Sequence, residues 1–255
     1  MQDLTLTLIQ DEIQWQEPEI NRQRFEALIA NAPASDLILL PEMFSTGFSL
    51  QSFQLAETMS GESIQWMTRM ARESGAVIAG SLILEDDGHY FNRLIWMRPD
   101  GSFAFYDKRH LFRMAEEHRH YKSGDERLVV TLNGWRICPL VCYDLRFPVW
   151  SRNNSSFDLL LYVANWPEKR RAHWQKLLPA RAIENLCYVV GLNRVGEDGN
   201  GIAYSGDSVV ISPQGEELLN AGSKAGLFTL QLNHADLVSY REVFPAHLDA
   251  DHFTL

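Results

Sequence analysis

LILLPEMFSTGF, residues 37–48, opens on four consecutive apolar side chains and then breaks into a loop at Pro41 and Glu42. A strand with one wet face alternates apolar and polar residues, whereas an unbroken apolar run of strand length is what burial on both faces demands. A sheet covered on both sides is therefore expected, with a carboxylate, Glu42, standing where the strand ends.

Working outward, LTLTLIQ (residues 4–10) alternates as a half-buried strand does. PEINRQRFEALIA (18–30) places Ile20, Phe25, Leu28 and Ile29 near one helical face, and Pro18 suits the first turn. GESIQWMTRMARESG (61–75) has Glu62 in its first turn and Gly75 past its last, and strand AVIAGSLIL (76–84) follows. YFNRLIWMRPDGSFAFYDK (90–108) reads as two strands about a PDG turn. Further strands are expected at 128–132, 136–141 and 159–163, then a helix over 172–186 despite Pro179. Strand YVVGLNRVG (188–196), a hairpin over 206–220 and strand GLFTLQL (226–232) complete the chain. Helices alternate with strands early and late, and hairpins lie between, which predicts a mixed-sheet, layered α/β architecture. No Pro/Gly/Ser-rich linker or repeat divides the 255 residues, so 1–255 is read as a single domain.

Composition narrows the function classes. Asp and Glu number 33 against 23 Lys and Arg, a net charge of −10 that would repel phosphate, so neither nucleic acid nor an anionic membrane surface is an expected partner. The N-terminal stretch carries acids instead of a basic leader, and no apolar run is long enough to cross a bilayer. Three cysteines fit no disulfide framework; reduced thiols in the cytoplasm are expected.

Of the three, Cys142 has unusual neighbours. In ICPLVCYDLRFP (137–148) it ends an apolar run just before a turn, and a thiol on such an elbow can meet a carbonyl with backbone N–H groups aimed across its front. Nucleophilic attack requires a partner that takes the proton. His110 is the nearest histidine candidate, yet two other charged residues end apolar strands in the same manner: Glu42 after LILLP and Lys108 after FAFYD. Singly, each reads as a solvated loop residue and Cys142 as a packing thiol. Together they supply a base, an oxyanion stabiliser and a nucleophile.

LILLPEMFSTGF, YDKRHLF (106–112) and PLVCYDLRFP (139–148), in this order, resemble the three signature segments of the nitrilase, or carbon–nitrogen hydrolase, superfamily. The resemblance implies a four-layer α-β-β-α sandwich that pairs into homodimers and a Glu42-Lys108-Cys142 triad; with the thiolate as nucleophile and the ammonium as electrophile, no cofactor is expected. It also implies a second glutamate shortly before a Gly-Asp pair. In AEEHRHYKSGDE (115–126) Glu116 and Glu117 compete for that place, and the spacing to Gly124 and Asp125 favours Glu117. His118 and His120 beside them suggest a metal site only weakly, because no second cluster has ligand spacing; none is expected. Arg146 is expected to hold the elbow through an internal ion pair, as a family arginine does.

YVANWPEKRRAHWQKLLPARAIEN (162–185), GLNRVGEDGNGIAYSGDS (191–208) and SPQGE (212–216) are most similar to the ω-amidase branch. That branch implies a small amide substrate such as 2-oxoglutaramate, and Tyr143 is expected to lend its backbone N–H to the oxyanion jointly with Lys108. A far carboxylate needs a cation; of Lys169, Arg170 and Arg171, Arg170 is preferred, although a basic helix start selected for solubility reads equally well. Trp166, Phe44 and Phe48 are candidate pocket walls. The alternatives are an N-carbamoyl amino-acid hydrolase or deaminated-peptide amidase of the same superfamily, a silent scaffold, and a metal-dependent phosphoesterase, which would want Asp, Asn and His at the strand ends.

Overall fold

A computed structural model describes residues 2–154 and 157–251. Its strands are β1 (Leu4–Gln10), β2 (Leu37–Leu39), β3 (Val77–Asp86), β4 (His89–Met97), β5 (Phe103–Asp107), β6 (Val130–Leu132), β7 (Trp135–Val141), β8 (Leu159–Ala164), β9 (Tyr188–Asn193), β10 (Val195–Glu197), β11 (Ala203–Ser205), β12 (Val209–Ile211), β13 (Glu217–Asn220) and β14 (Gly226–Leu232). The helices are α1 (Pro18–Ala30), α2 (Ser52–Leu55), α3 (Glu62–Ser74), α4 (Pro148–Ser151), α5 (Arg171–Asn185) and α6 (His234–Val243). Two six-stranded mixed sheets form, in the orders β14-β1-β2-β3-β4-β5 and β13-β12-β9-β8-β7-β6.

The apolar run of β2 shows why the layers stack as they do. Successive side chains of a strand point to opposite faces. Leu37 and Leu39 accordingly join the core between the sheets, with Leu6, Trp96, Trp135 and Leu161, while Ile38 joins the outer core under α1 and α3, with Phe25, Met67 and Met70. On the far side α5 packs Trp174, Leu178 and Ala182 onto the second sheet. The order is therefore helix, sheet, sheet, helix, the four-layer sandwich expected. The approach of α5 depends on Gly191: a Cβ there would lie 2.5 Å from Leu178 and 2.7 Å from Trp174. Pro179 sits inside α5 without ending it, because the buried face of that helix outweighs one missing backbone hydrogen bond.

Several expectations need correction. Ile20 is 51% exposed, so the buried face of α1 is carried by Phe25 and Ile29. The strand expected over 188–196 breaks at Arg194, whose buried guanidinium donates to the carbonyls of Val195, Ile13 and Glu197, and β10 pairs with β11 instead. Phe44 belongs to the outer core, against Phe25 and Trp66, and not to a pocket. The C-terminal helix α6, capped by Asn233 accepting from Asp236 N–H, went unread in the sequence. Among the described residues no helix is long and apolar enough to cross a membrane.

Candidate active site

The ends of β2, β5 and β7 converge, and with them Glu42, Lys108 and Cys142. Glu42 follows β2 and is fully buried; Lys108 follows β5 at 1% exposure; Cys142 follows β7 at 8%. Lys108 Nζ donates to Glu42 Oε1 at 2.8 Å and to both oxygens of Glu117 at 3.0 Å. Glu117 also accepts from Phe112 N–H at 2.5 Å, which anchors the loop after β5 around the ammonium. Glu116 instead makes a surface pair with Arg119, so of the two adjacent glutamates Glu117 is the one brought to the lysine. Asn165, just beyond β8, donates its backbone N–H to Glu42 Oε2 at 2.8 Å and its side-chain amide to Glu42 O at 2.5 Å.

Electrostatics follow from this packing. Burial alone would depress Lys108, but Glu117 and Glu42 outweigh it and hold its pKa above the ordinary value, so it stays charged. Burial raises Glu117, opposed by Lys108. Burial, and Glu42 next to it, push the Cys142 thiol well above its usual range despite Lys108, so it rests as a neutral thiol beside Glu42. Cys138 is raised by burial to about 12 and Cys187 is raised as well; both are fully buried packing thiols, as expected.

Cys142 has φ 44°, a left-handed conformation that costs a non-glycine residue about 1–3 kcal/mol and persists only where its surroundings over-determine it. Asp144 supplies that constraint. Fully buried, it accepts from Val141 N–H (3.0 Å), Tyr106 O–H (2.7 Å), and the backbone N–H and ring Nδ1 of His110 (2.9 and 2.8 Å). The elbow is thus tied to β5 and to the loop that carries Lys108. Arg146 does not hold the elbow as expected, because it forms no internal ion pair among the described residues. In the tight turn of Cys142–Arg146, residues two apart face different ways. Asp144 points inward, while the Arg146 guanidinium lies 4.8 Å over the Trp166 ring and contacts His173 Nδ1 at 2.9 Å.

A pocket of about 240 Å³ opens onto Glu42, Lys108 and Cys142. Its walls include Trp15, Phe48, Phe112, Tyr143, Trp166 and Tyr204, with Arg146 and Arg170 to one side. Phe48 covers Lys108 at 5.3 Å and Tyr143 packs on Phe112 at 5.0 Å. Trp166 donates Nε1–H to Arg170 O at 2.8 Å, which holds the turn before α5 against the pocket. Of the three consecutive basic residues only Arg170 lines it: Arg171 is clamped by Asp207 at 2.6 Å and Lys169 is exposed. Neither Arg146 nor Arg170 has a carboxylate partner among the described ion pairs, and each repels the other. EEHRH is taken up by the lysine clamp and the surface pair; among the described residues no three His, Cys, Asp or Glu side chains gather as a metal site.

The carbon-nitrogen hydrolase family model matches residues 5–242. The chain is 50% identical to "Omega-amidase YafV" of Escherichia coli (strain K12) over 100% of both chains. It is 30% identical to a "2-oxoglutaramate amidase" of Bacillus subtilis (strain 168) over 96% of both. Among solved structures, XC1258 from Xanthomonas campestris, described as a CN-hydrolase superfamily protein with an arsenic adduct in the active site, superposes with a TM-score of 0.98 at 46% identity over 100% of each chain.

Proposed function

The chain belongs to the carbon–nitrogen hydrolase family, and from that premise we propose that it hydrolyses the terminal amide of a small 2-oxo-dicarboxylic acid monoamide, of the 2-oxoglutaramate kind, through a thioester on Cys142. The observation that carries this is a pocket lined by a thiol, a carboxylate and the ammonium that binds it, together with two guanidinium groups that have no carboxylate partner among the described residues. The ω-amidase and 2-oxoglutaramate amidase relatives support the same substrate class.

Glu42 takes the Cys142 proton as sulfur attacks the amide carbon. The carbonyl oxygen becomes an oxyanion, met by Lys108 and by the N–H of Tyr143, one of the first N–H groups of the turn Cys142–Arg146 and so without a partner inside that turn. Glu42 takes one ammonium hydrogen and the two equidistant Glu117 oxygens share a second, which leaves one for the oxyanion. Glu42 then returns the proton to the leaving nitrogen, the C–N bond breaks and ammonia departs. A water, deprotonated by Glu42, cleaves the thioester to the acid and regenerates the thiol. Glu117 holds the lysine. No step needs a metal, and dialysis against EDTA is expected to leave the rate unchanged; activity lost to the chelator and restored by a divalent ion would refute this.

Arg146 and Arg170 take the far carboxylate. A guanidinium pair in a pocket walled by aromatic rings repels itself when empty, and an anion relieves that. Arg170→Ala and Arg146→Ala should each raise KM for 2-oxoglutaramate by about ten- to a hundredfold, the loss of a charge-assisted hydrogen bond, with a smaller change in kcat. A neutral amide of similar length should lose little. Equal losses on both amides would assign these residues to the loop instead, and Lys169→Ala serves as the unaffected control. Ammonia release from a panel that includes N-carbamoyl amino acids, read together with carbon dioxide release, tests the substrate class itself.

The three thiols are free, which supports a cytoplasmic setting. Exposed Ile183 on α5, Val238 and Val243 on α6, and Phe244 support a homodimer.

A further inference from the structure

Asn92 lies in the middle of β4, outside every motif, and is fully buried. Its carbonyl accepts from Lys108 N–H at 3.0 Å. Its side-chain Nδ2 donates to Glu42 Oε1 at 2.8 Å and lies 3.3 Å from Glu117 Oε1. One residue thus touches the backbone of the lysine and both carboxylates that flank the ammonium.

The orientation of its amide is set from behind. Ser81 Oγ accepts from Met43 N–H at 2.9 Å and donates its single hydrogen to Asn92 Oδ1 at 2.8 Å. A flipped amide would press Oδ1 against two carboxylates and leave the Ser81 hydrogen without an acceptor, so the side chain has one satisfied arrangement. Met43 has φ 45°, and the Ser81 hydroxyl satisfies its N–H, so the same pair of side chains also steadies the strained backbone that follows Glu42.

Two buried carboxylates share one ammonium here, while the thiol rests neutral. A second cation would bind the carboxylates and weaken the base. A neutral N–H donor stabilises the ionised forms without cancelling their charge. Occupancy of the oxygens matters too: among the described residues Glu42 Oε1 receives Lys108 and Asn92, whereas Oε2 receives Asn165 N–H alone.

We propose that Asn92, locked by Ser81, is a positioning residue that holds Glu42 and Glu117 in place around Lys108 and leaves Glu42 Oε2 as the oxygen that takes the thiol proton. This rests on the assignment of Glu42 as the base. In the step concerned the S–H bond of Cys142 breaks, an O–H bond forms on Oε2, and the sulfur electron pair goes to the substrate carbon. The groups facing the carboxylate pair are Lys108, Cys142, Tyr121 and Tyr204, and of these only Lys108 bears a charge at neutral pH.

The test is the rate of Cys142 alkylation by iodoacetamide against pH, alongside kcat and KM, for wild type, Asn92→Leu, Ser81→Ala and Glu42→Gln; Cys138 and Cys187, at 0% exposure, do not compete. Removing a donor to the charged form makes that form harder to hold, so the acidic limb should move to higher pH. In Asn92→Leu the expected shift is about one pH unit, hence roughly tenfold slower reaction on the acidic limb that recovers at higher pH, with KM changed by less than about twofold. Ser81→Ala should move the limb the same way by less, and it carries the test if Asn92→Leu fails to fold by circular dichroism. Profiles coincident with wild type, or a loss by one factor at every pH, would overturn the proposal while leaving the base intact. A Glu42→Gln protein that kept the wild-type limb would remove the base, and this proposal with it.

Discussion

Cys142→Ala abolishes turnover and leaves the fold in place: that is the expected result, and each half has its own cause. Without the sulfur there is no atom to form the thioester, and neither remaining thiol can stand in, because Cys138 and Cys187 have no exposed surface and their burial holds them as neutral thiols. A loss on the order of 10⁴-fold or more in kcat is expected, as for removal of a nucleophile that acts as one unit with its base. The elbow survives because Asp144 accepts its hydrogen bonds from Val141, Tyr106 and His110, none of which involves the thiol. Alanine also inherits the same φ cost as cysteine, so thermal unfolding should shift by only a few degrees, equivalent to about 1 kcal/mol. Intact-mass measurement after acid quench should find an acyl adduct on wild type and none on the variant. Near-native turnover by Cys142→Ala would end the thioester mechanism.

How much of this site could be read beforehand depended on whether the deciding contacts were local. Glu42, Lys108 and Cys142 each close an apolar run, so period and position mark them without knowledge of the fold, and the continuous LILL run already implied a layer on either side. Arg146 misled because its role was taken from a family arginine and not from the geometry of the turn it shares with Asp144. The turn aims the two apart, and the partners of Asp144 come from 34 and 38 positions away, at His110 and Tyr106. Asn92 left only a faint signal, a lone amide within the strand HYFNRLIWM. A polar side chain buried at such a place must find hydrogen bonds, but which ones is decided by β2, β3 and the loop after β5, brought together by sheet pairing. Arg170 could be preferred but not separated from its neighbours, since what removes Arg171 from the pocket is Asp207, 36 residues on in the loop before β12.

Lys108→Met should damage rate and stability together, and the two can then be pulled apart. The ammonium is the electrophilic partner of the oxyanion, so kcat should fall by at least about two to three orders of magnitude, as when an oxyanion-hole donor is deleted. The same ammonium stands between Glu42 and Glu117, both at 0% exposure, and its loss leaves two facing carboxylates with Asn92 as their shared donor. Breaking a buried pair in this way costs about 3–5 kcal/mol. Glu117, already a weaker acid through burial, is the group that takes up a proton in response. The folded variant then binds a proton that the unfolded chain releases, so its stability must fall as pH rises from about 5 to 8. Wild type should show a smaller slope from this site, because its charged lysine opposes the rise that burial imposes on Glu117. Guanidinium unfolding at pH 6 and pH 8 measures the difference. Lys108→Met combined with Glu117→Gln removes the charge repulsion without restoring the electrophile; it should regain most of the lost stability and almost none of the lost kcat. If the double variant stayed as unstable as the single one, the carboxylate repulsion would not be the cause, and if Lys108→Met kept its kcat, the oxyanion would have to be stabilised elsewhere.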